Sequence, residues 1–357
     1  MKSKMFRAVG ALSLVTAFAL VGCAQTPTAE PTGDTTEDGL ARNWDEVVTL
    51  AKQEGSLTLY SSDTSEQLEA LAAGFEAEYG IKVEYVKLAS TAVEQRFTEE
   101  LRSGIVAADV IQQADPSFFN LYPSEFRKIS DVGMPAAADY LDDYISDYSV
   151  AGVIFTSGLQ YNTDLVSPAD VPQNYDDLLD PKWKGKILFI TPTASPTPLS
   201  LLQLIAAEKG EDWIKKFGQQ DLQFVDSATP GGQQIASGAY AINFPTASGA
   251  QTEPLKAQGA PIDWVSFDPI QIGTNELSLP IGSPHPNAAA LYLNYRISKD
   301  GWKAVCDTNP QYATPFKDGS TLDGCVTVPE NVTRVDYSVL SDTAKRDHLL
   351  DLLGYQQ

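Results

Sequence analysis

Six short stretches rich in hydroxyl and amide groups hold the side chains best suited to chemistry in this chain. They are Ser61–Thr64, Ser90–Thr91, Gln113–Asp115, Thr191–Thr197, Ala228–Gly232 and Pro245–Ser248. Several of them open a segment with helical periodicity. A helix N-terminus presents unpaired N–H groups and a partial positive charge. Hydroxyls beside such N–H groups suit an anion or a polar solute. The candidate ligand contacts are therefore Ser62, Asp63, Thr64, Ser90, Thr91, Asp115, Ser195, Thr197, Gly232 and Thr246. Ser90, Ser195 and Thr197 are equally suited to capping helices, and for any one of them either role is open. Catalytic chemistry has little to stand on. The two histidines are His285, between two prolines, and His348, near the end of the chain. Neither sits in a zinc-binding motif, and the chain has no G-x-S-x-G elbow and no Walker A motif. No catalytic residue, metal site or cofactor is expected.

The elements that must position these loops alternate between strand and helix. Trp44, Val47, Val48 and Ala51 lie at helical spacing, and Gly55 stops that helix. Ser56–Tyr60 reads as a strand, Glu66–Tyr79 as a helix ended by Gly80, and Ile81–Val86 as a second strand. A helix over Ala92–Arg102 and a strand over Ala108–Ile111 follow. The middle of the chain repeats the pattern, with strands over Val153–Tyr161, Lys186–Ile190, Tyr240–Phe244 and Ile262–Phe267. Helices are expected over Leu199–Lys209 and Glu211–Gln219, and a short one after Gly231–Gly232. A strand over Glu276–Leu279 leads to a long helix, Asn287–Ile297. Such alternation predicts an α/β fold, its sheet largely parallel with helices on both faces. In open α/β sheets ligands sit beyond the carboxyl ends of the strands, which is where the hydroxyl-rich loops fall. Phe244, Trp264 and Phe267 lie at strand spacing and read as core.

The first 43 residues concern location. A basic start with Lys2, Lys4 and Arg7 precedes an apolar run, Ala8–Val21, which ends in Leu20-Val21-Gly22-Cys23. That layout is a bacterial secretory signal over residues 1–22. Its last residues resemble a lipobox, the motif in which a cysteine thiol, here that of Cys23, is acylated. A plain secretory signal with an incidental cysteine is the alternative. Residues 23–43 are poor in apolar groups and are expected to form a disordered tether. The formal net charge is −22. Loss of residues 1–22 removes three basic side chains and no acid. A chain that acidic repels nucleic acid and anionic lipid, so proximity to a membrane requires the covalent anchor. Of the remaining cysteines, an even pair in an exported protein, Cys306 and Cys325, reads as a disulfide stabilising by roughly 3 kcal/mol. Two buried free thiols are the alternative.

From Trp44 to about Ser298 the order of elements resembles the solute-binding proteins of bacterial ABC importers, in the branch that binds ferric ion, phosphonates and other small solutes. The matching pieces are Gly55–Tyr60, Phe75–Ile81, Ala108–Val110, Tyr161–Leu165, Pro181–Lys186, Ser237–Ile242 and Asn275–Pro280. The resemblance implies a two-lobed periplasmic-binding-protein fold of type II with a ligand cleft between the lobes. Lobe 1 is expected over residues 44–152 plus 273–299 and lobe 2 over 153–272. Residues 300–357 form a C-terminal segment assigned to neither. It also implies a small-molecule solute, an ABC permease as partner, a monomer, and an extracytoplasmic location, lipid-anchored to the cell membrane. Ser195 and Thr197 match the family's anion-contacting turn. One feature departs from the ferric branch: its adjacent pair of tyrosines is replaced by Pro245-Thr246-Ala247-Ser248. Hard Fe³⁺ needs several anionic ligands, and the loops offer only Asp63 and Asp115, so bare ferric binding is disfavoured. A ferric-chelate binder, a solute-sensing receptor module and an extracellular hydrolase using His285 remain as alternatives.

Overall fold

The computed structural model describes residues 35–308 and 311–356; the expected signal and Cys23 lie outside them. Folded structure begins earlier than the tether reading allows. Thr35 bridges Ala41, and Leu40 and Ala41 are buried. Asn287 clamps this turn, its Oδ1 accepting from Ala41 N–H at 3.0 Å and its Nδ2 donating to the Gly39 carbonyl at 3.1 Å. Asp38 pairs with Arg127. Two buried apolar residues, the Asn287 clamp and a partly buried ion pair hold the turn, so composition alone misjudges residues 35–43.

Helix α1 (Trp44–Glu54) starts at Asn43, whose side chain accepts from Asp45 and Glu46 N–H, and ends at Gly55 with φ +73°. Only glycine adopts that left-handed conformation cheaply. The chain continues through β1 (Ser56–Ser61), α2 (Ser65–Tyr79), β2 (Lys82–Lys87), α3 (Ser90–Ser103), β3 (Val110–Gln113) and the short α4 (Ser117–Leu121). Three short 3₁₀ turns between Ile129 and Tyr144 lead to β4 (Val150–Asn162). Next come β5 (Ile187–Ile190), α5 (Pro196–Lys209), α6 (Glu211–Gly218), β6 (Gln223–Val225), α7 (Ala228–Ala236), β7 (Ile242–Ala247) and α8 (Ser248–Ala257). The chain then runs through β8 (Ile262–Val265), β9 (Ile270–Ser278), α9 (Pro286–Ile297) and α10 (Lys299–Thr308). Three short strands, β10 (Ala313–Thr314), β11 (Val326–Thr327) and β12 (Val332–Arg334), precede α11 (Thr343–Leu353).

The strand order is β2-β1-β3-β9-β4-β7-β5-β6, with β8 added on β4 and β12 on β9. It is more mixed than the sequence suggests. β1, β2 and β3 are mutually parallel, as are β5, β6 and β7, but β4 and β9 run antiparallel to each other, β9 antiparallel to β3 and β4 antiparallel to β7; the short β12 is parallel to β9. These two strands are the crossings. Residues 150–156 of β4 pair with β9, and residues 157–162 pair with β7 and β8. One strand therefore belongs to both parallel groups.

Around the first group, α1, α2, α9 and α10 enclose a core that includes Phe75, Tyr140, Tyr292 and Trp302, with Phe97, Phe118 and Phe126 beside it. Around the second, Trp183, Phe189, Trp213, Phe217 and Phe244 pack together. The C-terminal segment divides between them. Trp302, Val305 and Tyr312 enter the first core, whereas Val339, Leu349, Leu350 and Leu353 enter the second. On the way the segment adds β12 alongside β9, and the Tyr337 hydroxyl bonds both the N–H and the carbonyl of Thr274. Cys306 and Cys325 are joined in a disulfide.

Candidate ligand cleft

A cavity of about 320 Å³ opens where the crossing strands meet the two parallel groups. Its floor includes Val153 and Phe155 of β4 and Asn275 of β9. One wall is the turn from β1 into α2, with Ser62, Asp63, Thr64 and Gln67. The facing wall comprises the turns that precede or begin α5 and α7, with Ser195, Thr197, Asp226 and Ser227, and the end of β7, with Thr246. Tyr312 of the C-terminal segment also lines it.

The first wall is tied into the core. Thr64 caps α2, its Oγ1 accepting from Gln67 N–H at 3.3 Å. Asp63 is only 4% exposed. Its Oδ1 accepts from Asn275 Nδ2 at 2.7 Å, while its Oδ2 lies 4.0 Å from the buried Arg296 Nη2. Burial pushes the Asp63 carboxyl above its usual range, against the pull of Arg296, of the Asn275 hydrogen bond and of the nearby Gln112 amide. Asp63 Oδ2, Ser62 Oγ and Gln67 Nε2 are buried without a hydrogen-bond partner among the described residues. Buried polar atoms are nearly always satisfied, so three vacant ones on one cavity wall mark a place where a guest's polar groups belong.

The second wall is looser. Ser195 caps α5 by accepting from Thr197 N–H at 3.4 Å. Ser227 precedes α7 but makes no side-chain cap bond to it, and the preceding Asp226 is exposed. No lysine, arginine or histidine lines the cavity among the described residues.

Six of the ten residues expected from sequence line this cavity: Ser62, Asp63, Thr64, Ser195, Thr197 and Thr246. Four do not. Ser90 Oγ accepts from Ala114 N–H at 3.4 Å, Thr91 is exposed on α3, and Asp115 is occupied by the N–H and hydroxyl of Ser117. Gly232 is buried within α7, where a Cβ would meet Leu255 at 3.1 Å and Gln160 at 3.5 Å. Its smallness serves helix packing. Gln67, Asp226, Asn275 and Tyr312 escaped sequence reasoning. Gln67 and Asn275 are polar positions inside otherwise periodic elements, a signal that the sequence does carry. Phe244 and Phe267 are core, as expected, whereas Trp264 is only half-buried and its ring N–H donates to Glu253 at 3.2 Å.

The histidines are engaged elsewhere. Asp109 accepts from Ser283 Oγ at 2.6 Å, from His285 N–H at 2.7 Å and from Thr58 N–H at 2.7 Å, with His285 Nδ1 at 3.0 Å. The serine thus bonds the carboxylate and not the imidazole, which is the wrong order for an activated nucleophile. This cluster ties β1 and β3 to the start of α9. His348 pairs with Glu211 at 2.8 Å on the surface. Among the described residues no group of three or more His, Cys, Asp or Glu is placed to hold a metal ion.

Residues 61–301 match the family model described as bacterial extracellular solute-binding protein. Iron uptake protein A1 of Synechocystis sp. is 28% identical over 224 residues, which are 58% of this chain and 55% of that protein. The match thus spans about half of that relative's length. Among solved structures, iron-bound HitA from Pseudomonas aeruginosa superposes with a TM-score of 0.64 at 18% identity, over 84% of this chain and 98% of that one. AfuA from Actinobacillus pleuropneumoniae, with fructose-6-phosphate bound, gives 0.59 at 18%, over 85% and 99%. These likenesses show the fold, which is the two-lobed α/β fold of type II periplasmic binding proteins.

Proposed function

The chain belongs to the bacterial extracellular solute-binding proteins, and from that premise we propose that it is the lipid-anchored binding component of an ABC importer. It takes a small polar or anionic solute between its lobes, closes over it and delivers it to a membrane permease. The observation that carries this reading is the cavity lined from both parallel groups, with buried polar atoms left vacant on one wall. A solute that bonds both walls at once stabilises only the closed arrangement. The flanking strands β4 and β9 are continuous through the junction and suit a hinge. Lobe 1 then comprises residues 44–152 plus 273–299 and lobe 2 residues 153–272, with the C-terminal segment contributing to both. Acylation of Cys23 holds the protein, as a monomer, outside the cytoplasm at the cell membrane.

Bare Fe³⁺ fits this cleft poorly. The position where ferric binders carry adjacent tyrosines holds Pro245-Thr246-Ala247-Ser248, and the cavity offers Asp63, Asp226 and Tyr312 as its acidic oxygens. Asp63 already accepts from Asn275. A ferric chelate is the second reading, favoured by the iron named for the Synechocystis relative and for HitA. A thermal-shift screen of phosphonates, phosphate esters, amino acids, polyamines and ferric chelates tests both. A ligand at a hundred times its Kd adds about 2.7 kcal/mol. The reading expects at least one clear shift from an organic solute. A shift from Fe³⁺ alone, or none from any compound, overturns it. Mass spectrometry of the mature protein tests acylation of Cys23, and a Cys23→Ser variant should be released into the medium.

A further inference from the structure

We propose that the solute carries a protonated amine and that Asp63 is the residue that receives it. The inference rests on the solute-binding reading above and names the chemistry of that same cleft. Its first support is the electrostatic character of the walls. The cavity is lined by two carboxylates, Asp63 and Asp226, and by no lysine, arginine or histidine among the described residues. A multiply charged anion would find no countercharge in contact there. The second support is the state of Asp63. One of its oxygens is fixed by Asn275 at 2.7 Å, and the other has no hydrogen-bond partner. Arg296, at 4.0 Å, is too distant to hydrogen-bond that oxygen yet close enough to favour its charge. A buried carboxylate with open lone pairs is costly until a donor reaches it. An ammonium group is a donor that also adds to the charge stabilisation Arg296 gives from 4.0 Å. The vacant Ser62 hydroxyl and Gln67 amide lie on the same wall. They give further polar partners to the atoms beside the amine. If the amine-bearing solute also has an acidic group, the uncapped start of α7 on the facing wall suits it.

Titration calorimetry on the full chain tests this with matched pairs: 2-aminoethylphosphonate against ethylphosphonate, putrescine against 1,4-butanediol, and glucosamine against glucose. The amine of at least one pair should bind about tenfold tighter than its partner, or more. Asp63→Asn should reduce that preference to about twofold or less. If Asp63→Asn does not fold, Asp226→Asn serves as the second variant. It should lower amine affinity by a smaller factor, through loss of one cavity charge. Equal or tighter binding of the amine-free members overturns the inference and leaves the solute-binding reading intact. Silence from all six probes overturns it as well, and the broader thermal-shift screen then decides the solute-binding reading independently.

Discussion

On the first-lobe side of the cleft, Asp63 is buried, held from behind by Asn275 and facing Arg296. On the second-lobe side, Asp226 is exposed and Ser227 leaves the start of α7 without a side-chain cap. The same residue type thus appears in two physical states across a gap of one small solute. The desolvation cost of Asp63 is already part of the folded state, and whatever binds it meets a fixed, dry acceptor. Asp226 stays at the solvent-exposed surface. On the proposed reading, the difference assigns selectivity to the first wall, where Asp63 is fixed in advance, and adaptation on closure to the start of α7, where Asp226 and Ser227 are exposed.

The contrast breaks most readily at Arg296. Arg296→Met leaves Asp63 buried without its cation and removes a 3.1 Å bond to the Gly152 carbonyl. Stability should fall by about 3–5 kcal/mol in urea titration, and a loss under about 1 kcal/mol would make the two walls alike. The segment that brings Tyr312 to the cleft lies between Cys306 and Cys325. Replacing both cysteines by serine should cost roughly 3 kcal/mol, and an unchanged midpoint would show that packing alone holds this segment. Each wall has one helix cap, and these serve as internal controls. Thr64→Ala and Ser195→Ala should each cost about 1 kcal/mol; a much larger cost at Ser195 would mean that the second wall is as tightly set as the first. The smallest effect belongs to Asp226→Asn. Away from buried partners it should change stability by less than about 0.5 kcal/mol, and a larger loss would place Asp226 in the fixed framework.

Much of the frame was legible because its signals are local. Gly55 and Gly80 stop α1 and α2 in left-handed conformations, and the spacing of Val47 and Ala51, and of Leu68, Leu71 and Phe75, puts those residues in the core. β4 also falls where the apolar run Val153–Tyr161 predicts a strand, although it is longer. What escaped depends on distant partners. α8 carries Pro254 in its interior and little periodicity, so its helix is imposed by packing on β4 and β8. The turn over residues 35–43 is fixed by Asn287 and Arg127, hundreds or tens of residues away. In the cleft, the hydroxyls just after β1 and β5 and at the end of β7 were legible from their place at strand ends. Asn275 was legible only as a polar residue inside a strand, and its purpose shows once Asp63 stands beside it. Ser90 and Asp115 misled because hydroxyl-rich loops also satisfy their own backbone.

On the proposed reading, two walls come together over a solute. Small-angle scattering of the full chain, with and without a saturating compound from the thermal-shift screen, tests this directly. The radius of gyration should fall when that compound is present and recover when it is dialysed away. Superimposable curves at a concentration that clearly raises the melting temperature would contradict closure and leave a rigid pocket in its place.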